Sequence, residues 1–227
     1  MSLFAKFGLI ITVIIAIGCG IASSSSTKSV DLKEFAPAAE PVLESAKGKQ
    51  TAVFAGGCFW GVEAVFENVK GVSDVKSGYS GGDAKSADYD AVSSGDTTHA
   101  EAVLVTFDPA VVTYTQLLSV FFSVAHDPTE VNRQGPDTGP QYRSAIFYTD
   151  DAQKKAAQAY IDAINNSKAF PKPVATQLVP LVKFYDAEAY HQNYLVRNPT
   201  QPYIVAHDLP KLEDLKKKFP ELYKGKG

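Results

Sequence analysis

The stretch Thr51–Lys70, TAVFAGGCFWGVEAVFENVK, decides how the rest of the chain is read. It opens on a short apolar run, Ala52–Ala55, which reads as a buried strand. Gly56 and Gly57 break that run. Beyond them Val62, Val65, Phe66 and Val69 recur with the spacing of one helix face. Strand, glycine turn and helix together place Cys58 at the helix N-terminus. Free N–H groups and the positive end of the helix dipole favour an anion there. A thiolate is such an anion, so Cys58 is expected to have a depressed pKa and to be a nucleophile. The competing reading is a small buried hydrophobe, the commonest fate of a lone cysteine. The paired glycines and the exposed-looking Phe59-Trp60 favour chemistry.

A chain of 227 residues, 45% hydrophobic and 11% aromatic, suits one globular domain with a terminal extension. A net charge of −3 with no basic run argues against a nucleic-acid partner. Two cysteines cannot form a disulfide framework. At the N-terminus Lys6 precedes an almost unbroken apolar run, Phe7–Ile17, and then small residues. This is the pattern of a secretory signal. Gly18-Cys19-Gly20 also looks like a bacterial lipobox, in which Cys19 would carry lipid, although Ala16 stands where leucine is usual. The rivals are ordinary cleavage near Ala22 and an uncleaved anchor, for which Phe7–Ala22 is short. Residues 1–18 are thus read as a signal peptide. Residues 19–47 are read as a lipid-anchor cysteine and flexible tether, and residues 48–227 as the catalytic domain. The expected location is the bacterial cell envelope, facing the periplasm on a lipid anchor, or soluble in the periplasm if Cys19 is unmodified.

Along the domain, Val72–Ser80 reads as a strand and Tyr89–Val92 as a short extended piece. Glu101–Phe107 alternates as a strand with unlike faces, Glu101, Val103, Val105 and Phe107 sharing one. Thr113 is the expected N-cap of a helix running to about Ala125. Residues 126–143 form a long loop of the kind that carries function. Then come a strand at Ser144–Tyr148, a helix at Asp151–Asn165 and a strand at Val174–Tyr185 with Pro180 at an edge or bulge. Helices at Ala187–Val196 and Leu209–Tyr223 complete the domain. Interleaved strands and helices give an α/β (α+β) class, helices packed on a mixed sheet.

Five motifs occur in order: GCFWG at 57–61, GYSGG at 78–82, SGDTTHAEAV at 94–103, HDPTEVNRQGPDTGPQYRSAIFY at 126–148 and FYDAEAYHQNYLVRNP at 184–199. Together they resemble the peptide methionine sulfoxide reductase A family, single-cysteine type. The resemblance implies a two-layer sandwich around a ferredoxin-like core. It also implies reduction of methionine S-sulfoxide in oxidised proteins or peptides, with the free amino acid left open as a substrate.

Reducing a sulfoxide requires a nucleophile, a proton donor at the oxygen, hydrogen bonds that polarise S=O, and an apolar seat for the methyl group. Cys58 is the nucleophile. The resemblance assigns Glu101 as the acid, and to donate a proton it must be protonated, with its pKa raised by apolar burial. By the same resemblance Tyr89 and Tyr142 bond the sulfoxide oxygen, Asp137 helps to hold the network, and Phe59 and Trp60 form the methyl pocket. Taken alone, each has a plainer reading: a surface glutamate on an edge strand, two of eleven packing tyrosines, a turn aspartate, two core aromatics. His99-Ala100-Glu101 echoes a zinc deaminase motif but lacks its paired cysteines, so no metal is expected.

No cysteine follows Cys58. After one turnover Cys58 should stand as a sulfenic acid, to be reduced by an external thiol: a small thiol, or a glutaredoxin-like or thioredoxin-like protein. The cysteine-free tail Gln201–Tyr223 is expected to cover or frame the site. No bound cofactor is expected, and the protein is expected to act as a monomer. Two rivals stay open: a cysteine-dependent hydrolase using His126 or His191, and a non-enzymatic envelope lipoprotein that only binds.

Overall fold

The computed structural model describes residues 48–225. The expected signal at residues 1–18, the tether at 19–47 and Cys19 lie outside the described residues. Strand β1, Gln50–Ala55, is buried from Ala52 onward. It is flanked on both sides, by β3 (Ala100–Phe107) and by β6 (Ala145–Tyr148), each antiparallel to it. A strand covered on both faces can be apolar without alternating, which accounts for the Ala52–Ala55 run.

Helix α1, Phe59–Glu67, carries the chain from β1 to β2 (Val72–Ser80), and β2 returns beside β3. Helix α3, Tyr114–Val120, then leads by a π-helical turn at Phe121–Ala125 and a long loop to β6. The order β6-β1-β3-β2, all antiparallel, is the ferredoxin-like core. One sheet face packs under the helices through Phe54, Val103, Val105, Phe107, Phe66, Leu117 and Phe121. The Thr113 cap is a full capping box: its side chain accepts from Gln116 N–H, and the Gln116 side chain accepts from Thr113 N–H.

The expected strand Val174–Tyr185 is two strands. β7 (Gln177–Pro180) runs parallel to β6 at one edge, while β8 (Phe184–Asp186) pairs with β2 at the other, giving the order β7-β6-β1-β3-β2-β8. Residues 181–183 span at most about 14 Å between the two edges. The sheet is therefore curled into a partial barrel. Its inner face is lined by small residues, Ala55, Ala100, Ala102 and Ala145, and filled by Phe147, Leu181 and Phe184. Alanines permit the curl because bulkier side chains on a concave face would collide.

Three further segments differ from expectation. Tyr89–Ser93 is a short helix, α2, because the Asp88 carboxylate accepts from Ala91 N–H and caps it. The helix expected at Ala187–Val196 shrinks to α5, Tyr194–Arg197. Before it, the Gln192 side chain bonds both the N–H and the C=O of Ser77, pinning that backbone to β2. The last helix, α6, covers Leu209–Lys218 and follows a π-helical turn at Ile204–Asp208. Helix α4 occupies Asp151–Ser167, capped by the Asp150 side chain, and a two-strand ribbon, β4 (Arg133–Gln134) and β5 (Asp137–Thr138), rises from the long loop.

Candidate active site

Cys58 occupies the N-cap of α1 at φ −53° and ψ 124°, and among the described residues its side chain makes no capping bond. Gly57 delivers the chain into that position with φ of +92°, and a Cβ there would lie 2.6 Å from the Gln134 side chain. Glycine is therefore required on both conformational and steric grounds. The cysteine is 8% exposed. Its thiol is pushed well above the ordinary cysteine range by burial and by the nearby carboxyls of Glu101 and Asp208, against the opposing pull of Trp60 N–H and the Lys211 ammonium. The depressed pKa expected from the helix N-terminus is thus corrected. Loss of hydration outweighs the Trp60 N–H and the Lys211 charge when the anion is this enclosed.

Glu101 lies near the start of β3, on the face shared with Val103 and Val105, directly under the start of α1. Its Oε2 accepts the Phe59 N–H at 3.0 Å, so the carboxyl bonds the residue next to the cysteine. Glu101 is 2% exposed. Burial raises its pKa to about 8, with the Phe59 bond opposing and the Asp137 charge adding. At pH 7 the carboxyl is therefore mostly protonated. The plainer reading, a surface glutamate on an edge strand, fails because β3 is interior to the sheet.

Three more expected residues converge here. Tyr89 begins α2, and its N–H donates to Glu188 Oε1 at 2.9 Å. Tyr142 ends a 3-10 turn at Pro140–Tyr142. Both phenols are raised by burial and by the charges of Glu101, Cys58 and Asp137, which places all five in one cluster. Asp137, on β5, accepts a hydrogen bond from the Tyr203 hydroxyl. Phe59 is buried, tilted against His191 and Tyr79, so its expected exposure is corrected. Trp60 is half-buried, stacked on Tyr194 at 3.7 Å between ring centroids and edge-on to Tyr203 at 6.0 Å.

The histidines are occupied elsewhere. His126 bonds the Phe121 carbonyl and Ser144 Oγ, and burial lowers its pKa to about 4. His191 Nδ1 accepts the indole N–H of Trp60. Among the described residues neither makes a hydrogen bond with Cys58, so neither stands as the general base that the hydrolase reading requires. Among the described residues, no group of three or more His, Cys, Asp or Glu side chains could hold a metal ion.

The sequence profile of peptide methionine sulfoxide reductase matches residues 50–223. The chain belongs to the peptide methionine sulfoxide reductase family. It is 55% identical over 183 residues to peptide methionine sulfoxide reductase MsrA 2 of Mesorhizobium japonicum, covering 81% of this chain and 94% of that one. It is 54% identical over 184 residues to the MsrA 2 of Synechocystis, with 81% and 86% covered. Among solved structures it resembles reduced Mxr1 of Saccharomyces cerevisiae, with TM-score 0.62 and 37% identity over 67% of this chain and 87% of that one. It also resembles methionine sulfoxide reductase A of Corynebacterium diphtheriae, with TM-score 0.58 and 33% identity over 72% and 82%. The chain is an enzyme of this reductase family, acting on methionine sulfoxide.

Within this reductase, sequence reasoning passed over several residues that frame the site. Tyr203, Asp208 and Lys211 come from the tail, which frames the site as expected of it. Asp208 is fully buried, with Lys211 Nζ at 3.3 Å from Oδ1. Gly61 was the available signal. A Cβ there would meet Asp208 Oδ1 at 2.1 Å, and a glycine inside a helix often marks such a close approach. Glu188 lies in the 184–199 motif. It accepts both Tyr89 N–H and Tyr79 OH, each at 2.9 Å.

Proposed function

We propose that Cys58 takes the oxygen of a methionine S-sulfoxide whose S=O is held by Glu101, Tyr89 and Tyr142, with its methyl group against Phe59 and Trp60. The observation that carries this reading is the buried Glu101 acid bonded to the N–H beside the nucleophile. With Glu101 at about 8 and Cys58 higher, both are neutral at pH 7. The step R2S=O plus Cys58–SH gives R2S plus Cys58–SOH and needs no outside proton. Glu101 protonates the oxygen as sulfur attacks sulfur, and the thiol proton restores the balance.

Recycling then uses two external thiols. The first displaces water from Cys58–SOH to form a mixed disulfide, and the second releases Cys58–SH and a disulfide of the two donors. Small thiols and thioredoxin-like or glutaredoxin-like proteins fit this chemistry equally. Oxidised proteins in the cell envelope are the proposed targets. Lys6, the Phe7–Ile17 run and Gly18-Cys19-Gly20 support that location and a lipid on Cys19. More than one acyl chain is needed for stable anchoring. On this reading the native protein fractionates with membranes and Cys19→Ala releases it. A wholly soluble native protein would replace the lipid anchor with plain secretion.

The reaction itself is tested by thiol-dependent loss of a peptide methionine sulfoxide. Cys58→Ser, with Cys19 also removed, should abolish it while leaving the folded state unchanged by circular dichroism. Turnover in that variant would refute Cys58 as nucleophile.

A further inference from the structure

The wall of the proposed methyl pocket is held from behind. Trp60 donates its indole N–H to His191 Nδ1 at 3.0 Å, while Tyr194, three residues on, stacks flat on the indole at an interplanar angle of 6°. His191 is 2% exposed and wedged among aromatic rings: Phe59 at 5.0 Å, Tyr89 at 4.4 Å and Tyr190 at 4.2 Å between centroids. An Nδ1 that accepts must lack a proton, so the ring is the Nε2–H tautomer. Among the described residues its buried Nε2 has no hydrogen-bond partner. A group left unsatisfied at one end while anchoring a pocket residue at the other is better explained by its anchoring role than by packing alone. In the same segment Glu188 holds Tyr89 N–H and Tyr79 OH.

We propose that neutral His191 is a positioning residue for the sulfoxide's methyl seat, fixing the Trp60 indole through Nδ1. This rests on the reading of Phe59 and Trp60 as that seat. Protonated, the imidazole has no acceptor to offer, so the indole loses its bond and the seat loosens. The groups facing the ring act in both directions. Burial lowers its pKa and so does Arg197, while Glu188 raises it; Phe59, Trp60, Tyr89 and Tyr190 present neutral rings. Burial dominates, so the ring is neutral at pH 7 and protonates only below the ordinary imidazole value of about 6.5.

Two measurements test this. His191→Phe keeps an aromatic ring but removes the acceptor, and His191→Gln keeps an acceptor. The phenylalanine variant should lose about tenfold in kcat/KM for a peptide methionine sulfoxide, mainly through KM. Alkylation of Cys58 by iodoacetamide should stay within about twofold of the parent, since the nucleophile is untouched. The glutamine variant should recover most of the loss. Unchanged KM in the phenylalanine variant overturns the proposal, as does an equal fall in activity and alkylation in both variants. The second measurement needs no variant and no activity, so it stands apart from the reductase reading. Trp60 is the single tryptophan of the chain, and its one indole N–H proton resonance should be protected at pH 7. On acidification it should shift and broaden with a midpoint below about 6.5, before unfolding. A resonance indifferent to pH down to the unfolding transition contradicts a role for His191 in holding the indole.

Discussion

Glu101 is the residue whose environment has the widest consequences. Folding raises its pKa to about 8 from an unfolded value of about 4.3. Between those values the folded state holds a proton that the unfolded state has released. The contribution of this group to stability is therefore full below about pH 4.3 and lost as pH rises through about 8. Reductase activity should fall above pH 8, as the acid loses its proton, while alkylation of Cys58 climbs over the same range. Glu101→Gln should slow sulfoxide reduction by about 10²–10⁴-fold, leave alkylation nearly unchanged, and flatten that part of the pH dependence of unfolding. Equal losses in reduction and alkylation would point to a damaged fold instead. Cys58, Glu101 and their partners could be named from the order of motifs, but the ionisation of the thiol could not. Sequence places Cys58 at a helix start. Only the packed structure shows that Glu101 and Asp208 crowd it and that 8% exposure removes its water.

At the scale of elements, α1 is held by contacts far apart in sequence. Its first turn is bonded by Glu101 of β3 and rests at Gly61 on the Asp208–Lys211 pair that ends the π-helical turn and begins α6. A methyl group at residue 61 cannot enter without displacing Asp208. Gly61→Ala should therefore destabilise the protein by about 1–3 kcal/mol, although alanine is the better helix former in isolation. Chemical denaturation measures this directly, and a neutral or stabilising effect would contradict the packing described. Elements fixed by local signals were legible: the Thr113 cap, the alternation of β3, the buried run of β1. Those set by remote partners were not. Tyr89–Ser93 is helical because Asp88 caps it and Glu188 anchors its first N–H, and Ala187–Asn193 is irregular because Gln192 is tied to Ser77.

For the whole molecule, interleaved strands and helices give the class of helices on a mixed sheet, and the resemblance implies the ferredoxin-like core; the curl of the sheet follows from neither. The curl depends on alanines in β1, β3 and β6 meeting on one concave face, and on a segment that crosses between edges within three residues. The curl leaves the helix-covered face to carry Cys58, Glu101 and the tyrosines, while the tail closes over them with Tyr203 and Asp208 rather than with a second thiol. The central claim, one-thiol chemistry at Cys58, is tested most directly by mass spectrometry of the enzyme after reaction with a peptide methionine sulfoxide in the absence of reductant. One methionine should form per enzyme and one oxygen should be added at Cys58, trapped there by a dimedone-type reagent. A monomer that has lost two hydrogens and gained no oxygen would contradict it.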